Sequence, residues 1–310
     1  MLFFLKDNFL KIINGFSIPK FSKIIFCILI TLSIFKQSLR AQNYEPRSVI
    51  YNTLVGGLSG GIGAVINKHH DQKWFKAFGK GFLIGSGGGS IVYGGKKINY
   101  LVGERQNLGY AWLSRIVFSA GNSIVENASS NINVWTRWHF DIGFVRLEFK
   151  TGPFSFLPRI MPSSLGGIIF LAANGKLNFK ETIQSGTLTF YTPVIKYAPQ
   201  FVASTPGNGI IHVTSLTGPV FYQTYGHEMI HTFQFQEFSG VNYFFNPISN
   251  KWKSKSPTFK KVSKWIYLDL NYELMLANYF LVQGGFKKCY CTNFLENEAE
   301  FLSTRRPACN

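Results

Sequence analysis

The stretch Tyr225-Gly226-His227-Glu228-Met229-Ile230-His231-Thr232-Phe233-Gln234 constrains this chain more than any other. On an α-helix, residues four apart share a face, so His227 and His231 can turn imidazole nitrogens toward one metal ion. Glu228, one residue further round, reaches the open metal position and can take a proton from a bound water. Thr224 is placed to cap the start of such a helix, and Ser239-Gly240 to stop it. The plainer alternative is a polar helix face carrying two incidental histidines. The whole chain has only six His, which makes an accidental pair at this spacing a poor explanation.

A catalytic zinc usually takes three protein ligands plus water. No His follows His231, so a ligand supplied further along the chain must be a carboxylate. The longer metzincin motif fails, because Gln234 stands where its Gly should be and Glu237 where its third His should be. Downstream, Glu296-Asn297-Glu298-Ala299-Glu300 resembles the Glu-x-x-Ala-Asp signature of gluzincin peptidases of the membrane-associated CAAX-protease and HtpX-like kind. The resemblance covers these two short motifs and departs from the family at Glu300, where an Asp is expected. It implies a zincin-like domain holding one Zn2+ ion, with Glu296 as the third ligand and Glu300 orienting His227 or His231. It also implies a peptide or protein substrate, hydrolysed with Glu228 as general base. Glu273 and Glu298 remain rival third ligands; Glu273 sits in an apolar helical stretch where a carboxylate needs a partner. An oxyanion donor is required as well, and Tyr272 and Tyr243 are candidates by residue type.

The beginning of the chain reads as a targeting segment. Lys20 and Lys23 precede an uncharged run, Ile24 to Phe35, that is short for a bilayer span, and Ala41 suits signal-peptidase cleavage. Residues 1–41 are therefore expected to be a signal peptide of Gram-negative type, sending the protein to the periplasm, the outer membrane or the outside. Export makes a disulfide plausible, with Cys309 joined to Cys289 or Cys291 and closing a loop around Glu296. A Cys-x-Cys metal site is the rival reading of that pair.

Composition matters next for what it excludes. Hydrophobic residues at 46% and 31 Phe mark a folded chain. The net charge is +17, of which residues 1–41 carry +5, but the lysines are scattered and no nucleic-acid motif accompanies them. Nucleic acid is thus not an expected partner; anionic surfaces and plain solvation remain. Residues 42–134 form a Gly-rich helical region. Gly57, Gly61 and Ala64, then Ala77, Gly81, Gly85 and Gly89, recur at the spacing that lets two helices approach closely. This predicts a helical hairpin, with membrane or envelope association through residues 54–95 as one use, and a third helix over Tyr110 to Ala128. A second class of function follows: a non-catalytic zincin-like envelope protein whose hairpin mediates membrane or partner contact.

Residues 135–310 are expected to be a zincin-like β-plus-helix domain, making the whole α+β. Strands are predicted at Phe140–Phe149, Gly167–Leu171, Thr187–Thr192 and Ile210–Thr214, in an antiparallel region ahead of the His227 helix. A basic loop over Lys251–Lys264, a helix over Tyr267–Phe280 and a short helix over Asn293–Arg305 complete the expectation.

Overall fold

Helix α1, Tyr44–Ile66, and helix α2, Trp74–Ile98, pack as an antiparallel pair because glycine removes the side chains that would hold their backbones apart. A Cβ on Gly60 would fall on the carbonyl oxygen of Gly81, and one on Gly81 would fall on that of Gly60. The second helix uses Ala77, Gly81, Gly85 and Gly89 as the spacing predicts. The first turns Gly56 and Gly60 to the closest contact, with Gly57 and Gly61 meeting the rings of Phe82 and Phe78. A one-residue shift in the facing stripe is within what a 100° helical period leaves open. The computed structural model that shows this describes residues 44–282 and 293–304, all within one compact unit. The expected signal peptide and Cys289, Cys291 and Cys309 lie outside the described residues.

A short helix α3, Tyr100–Glu104, leads to α4, Tyr110–Ser129, the expected third helix, which packs on α2 through Gly121 and Gly95. Beyond it the chain alternates sheet and helix. The segment expected to be one strand at 140–149 is a hairpin of β1, Arg137–Ile142, and β2, Val145–Thr151. The break falls at Gly143, whose φ of 55° reverses the chain where a side chain would strain it. Strand β3, Phe154–Ile160, completes an antiparallel sheet in the order β1-β2-β3.

The expected strand Gly167–Leu171 lies instead inside helix α5, Pro162–Asn174. Pro162 starts that helix, and Ile168 and Leu171 fall on one buried face three residues apart, a helical period that an apolar run of five residues did not reveal. Strand β4, Lys176–Leu177, and helix α6, Phe179–Ser185, precede β5, Leu188–Thr192; then come β6, Ala203–Ser204, and β7, Gly209–Val213. These strands form a second sheet, β4-β5-β7-β6, in which β5 and β7 are parallel and the other pairs antiparallel. The fold is therefore mixed α and β, as composition and period suggested, though not purely antiparallel.

Helix α7, Gly218–Gln234, leaves β7 and carries both motif histidines. It begins six residues before Thr224 and ends at Gln234, and Ser239 opens a 3-10 turn to Phe245. The expected basic loop is a pair of short helices, α8, Asn246–Lys255, and α9, Pro257–Trp265, started by Pro247 and Pro257 and separated by Ser256, which caps the second through Phe259 N–H. The expected helix over 267–280 is shorter: α10, Asn271–Ala277, continued by a π turn, Asn278–Val282. Helix α11, Phe294–Phe301, starts at Asn293, whose side chain accepts from Leu295 N–H. Its Ala299 and Leu302 share one buried cluster with Met229, Ile230 and Phe233 of α7 and Val92 of α2. The two motif helices thus meet in the centre of the core.

Candidate metal centre

Three side chains converge where α7 meets α11. His227 Nε2 and His231 Nε2 are 3.1 Å apart, and Glu296 Oε2 lies 3.2 Å from the second and 3.3 Å from the first. His227 and Glu296 are buried, and His231 is nearly so. A tetrahedral ion with bonds of about 2.0 Å needs ligand atoms about 3.3 Å from one another. The three atoms make a near-equilateral triangle of that edge, so the donor set and its spacing fit a single metal ion. Among the described residues this is the group of three His, Cys, Asp or Glu side chains that could hold one.

Electrostatics points the same way. Burial opposes ionisation of Glu296, but the charge and hydrogen bonds of His231 and His227 hold its carboxyl far below the usual carboxylate range. Burial opposes protonation of His231 too, and Glu296 overcomes it, pushing that imidazole up to about 9. His227 is lowered, chiefly by burial. A site that attracts a proton to its centre this strongly would attract a metal cation by the same charge, releasing the proton on binding.

Two of the three candidate ligands, His231 and Glu296, are held from behind. His231 Nδ1 lies 2.8 Å from Gln234 Oε1, which fixes the tautomer that presents Nε2 to the centre. The Gln234 amide then donates to Leu295 O and to Glu298 Oε2, both at 2.9 Å. Glu298 also accepts from Ser48 and Asn52 of α1 and from Lys96 of α2. Lys96 is fully buried, and donates to Glu237 as well. The glycine hairpin therefore reaches the candidate metal centre through a buried chain of polar groups. Tyr279, on the π turn, donates to Glu296 Oε1 at 3.0 Å.

The expected ligands are thus brought together, while the rivals are not. Glu298 is committed to Lys96 and Gln234, and Glu273 is exposed on α10 and accepts from Ser163 Oγ. Glu300 is buried on α11, and the orienting contact described at His231 is that of Gln234. Glu228 is buried, with Oε2 accepting from Thr205 Oγ1 at 2.7 Å. Thr205 follows β6, which lies at the outer edge of the second sheet. Tyr243 and Tyr272 are occupied elsewhere, donating to Glu126 and to Pro206 O.

Sequence reading passed over Gln234, Thr205, Tyr279 and Lys96. Only Gln234 carried a usable signal, since it follows His231 by three residues on the same helical face. No protein family, curated protein or solved structure matches the chain.

Proposed function

We propose that the protein is a zinc metallopeptidase, with His227, His231 and Glu296 holding the ion and Glu228 as general base. The observation that carries this reading is the triangle of ligand atoms with 3.1–3.3 Å edges beside a buried, hydrogen-bonded glutamate. Zinc bound there would polarise a carbonyl and acidify a water. Thr205 holds Glu228 by Oε2, and as general base its carboxylate would accept a proton from the attacking water and return it to the leaving amine. The edge strand β6 beside the centre supports an extended substrate, because unpaired main-chain groups at a sheet edge can pair with a peptide. The resemblance to gluzincin peptidases, with Glu296-x-x-Ala299-Glu300 on α11, supports the same reading and gives Glu300 an orienting role.

Purified protein is expected to hold about one zinc per chain. Glu228→Gln is expected to keep the metal and lose hydrolysis of a casein or peptide-library substrate. Retained zinc with equal activity in the variant removes the peptidase reading.

The second reading, a non-catalytic envelope protein using the hairpin, has one observation behind it. Helix Glu45–Ile66 is long and apolar enough to cross a membrane, by length and composition alone. Against it, the same hairpin supplies Ser48, Asn52 and Lys96 to the groups behind His231. Membrane fractionation that depends on residues 54–95, together with zinc content unaffected by their substitution, would favour it.

A further inference from the structure

The first sheet is built with its chemistry reversed. Antiparallel sheets with one face on the protein normally turn apolar residues inward and polar ones out. Here the inward face of β1 and β2 carries His139, Asp141, Arg146 and Glu148, all buried, the first three against α4 and Glu148 beside Arg159 of β3. Arg146 bonds Asp141 at 2.7 and 2.8 Å and Glu126 of α4 at 2.9 and 3.1 Å. By the strand registers, the opposite face carries Trp138, Phe140, Leu147, Phe149, Phe156 and Ile160. No charged residue interrupts it, and on β3 it is open: Phe154 is 76% exposed and Phe156 50%.

The face continues past β3. Ile266 pairs in parallel with Ile160, so both side chains point outward, and Leu268 is likewise exposed while Tyr267 between them is buried under Arg146. Immediately before Ile266 come α8 and α9. From Asn246 to Leu268 the chain holds six lysines and no acid, with Trp252 and Trp265 half exposed among them. Burial, and then the nearby charges of Arg159 and Lys150, lower the pKa of Lys253 among these lysines.

We propose that this outward face, with the α8–α9 lysines and tryptophans at its rim, is a docking surface for an anionic lipid bilayer. An apolar face flanked by Lys and Trp is what lies in a membrane interface, with rings at the acyl boundary and ammonium groups among the phosphates. Charge decides between occupants. A second copy would set six lysines against six, and the first 41 residues of this chain carry +5 themselves, so both candidate covers repel the rim. Nucleic acid would satisfy the lysines but leave the Phe and Ile side chains in water. The surface differs from the glycine hairpin, whose small residues are used up in helix–helix contact.

The test uses the full chain and vesicles of phosphatidylcholine with or without roughly a third phosphatidylglycerol, with bound fraction read by flotation. The wild type is expected to bind the anionic vesicles and to lose binding as salt rises. Lys260→Gln/Lys261→Gln/Lys264→Gln should weaken partitioning about a hundredfold, at about fivefold per lysine. Phe154→Ser/Phe156→Ser should weaken it at least about tenfold. Both variants should keep the wild-type far-UV spectrum and metal content; if the Phe pair misfolds, the lysine variant decides. Unchanged vesicle binding in the lysine variant overturns the proposal. So does a Phe pair that turns a dimer into a monomer without changing vesicle binding, or equal binding to neutral vesicles at all salts.

Discussion

Replacing Lys96 by Met tests whether the hairpin supports the candidate metal centre or is merely packed beside it. The ammonium is fully buried between Glu237 and Glu298, both buried as well. Met keeps the volume and removes the cation, so two carboxylates remain in the core without their counter-charge. Breaking one partner of such a buried cluster costs about 3–5 kcal/mol. For a chain of this size that corresponds to a fall in melting temperature of about 10 °C. The pH dependence has a definite sign. Burial, with Lys96 pulling the other way and Glu298 adding to it, puts Glu237 up at about 7. A carboxyl raised in the folded state gives stability that is fully present below its unfolded value and lost as pH rises through the folded one. Removing Lys96 raises Glu237 further, so the variant's deficit should be larger at pH 8 than at pH 5. The assay is urea unfolding followed by circular dichroism on chelator-treated protein, which separates folding from metal binding. The triple variant Lys96→Met/Glu237→Gln/Glu298→Gln should recover most of the loss. A deficit below about 1 kcal/mol at pH 8, or equal deficits at both pH values, would refute the reasoning.

Three further outcomes follow from the same packing. Gln234→Leu removes the acceptor at His231 Nδ1 and should weaken zinc affinity about 10–100-fold in chelator competition, with stoichiometry kept at saturation. Glu126 is held down at about 2, since Arg146 and then His139 outweigh burial. A lowered carboxyl gives stability present above its unfolded value and lost as pH falls through the folded one, so wild type should exceed Glu126→Gln by about 3 kcal/mol near neutrality and converge with it toward pH 2. Gly60→Val places a branched side chain on the Gly81 carbonyl and should cost about 3 kcal/mol or unfold the hairpin, whereas the same change at Gly79, which meets nothing, should be neutral or slightly stabilising because Val is a better helix former than Gly.

What the sequence determined by itself was local and periodic. A spacing of four residues put His227 and His231 on one helical face, and the absence of later histidines made a downstream carboxylate the expected third ligand. Repeated glycines foretold a close helix pair, since nothing else removes enough side chain to let backbones touch. Short apolar runs failed: Gly167–Leu171 reads equally as a strand or as a helical face, and the helical period only shows over the longer span from Pro162. Lys251–Lys264 looked like loop because its lysines hide an amphipathic pattern. Tertiary structure separated Glu296, which the resemblance had already favoured, from its rivals Glu273 and Glu298. That choice rests on where α11 lands against α7, and on a core of Ala299, Leu302, Met229 and Ile230 that no local pattern specifies. It also decided which face of the first sheet meets solvent. Alternation told the two faces apart, but only the buried cluster that Asp141 and Arg146 of the sheet make with Glu126 of α4 turned the charged face inward and the apolar one out.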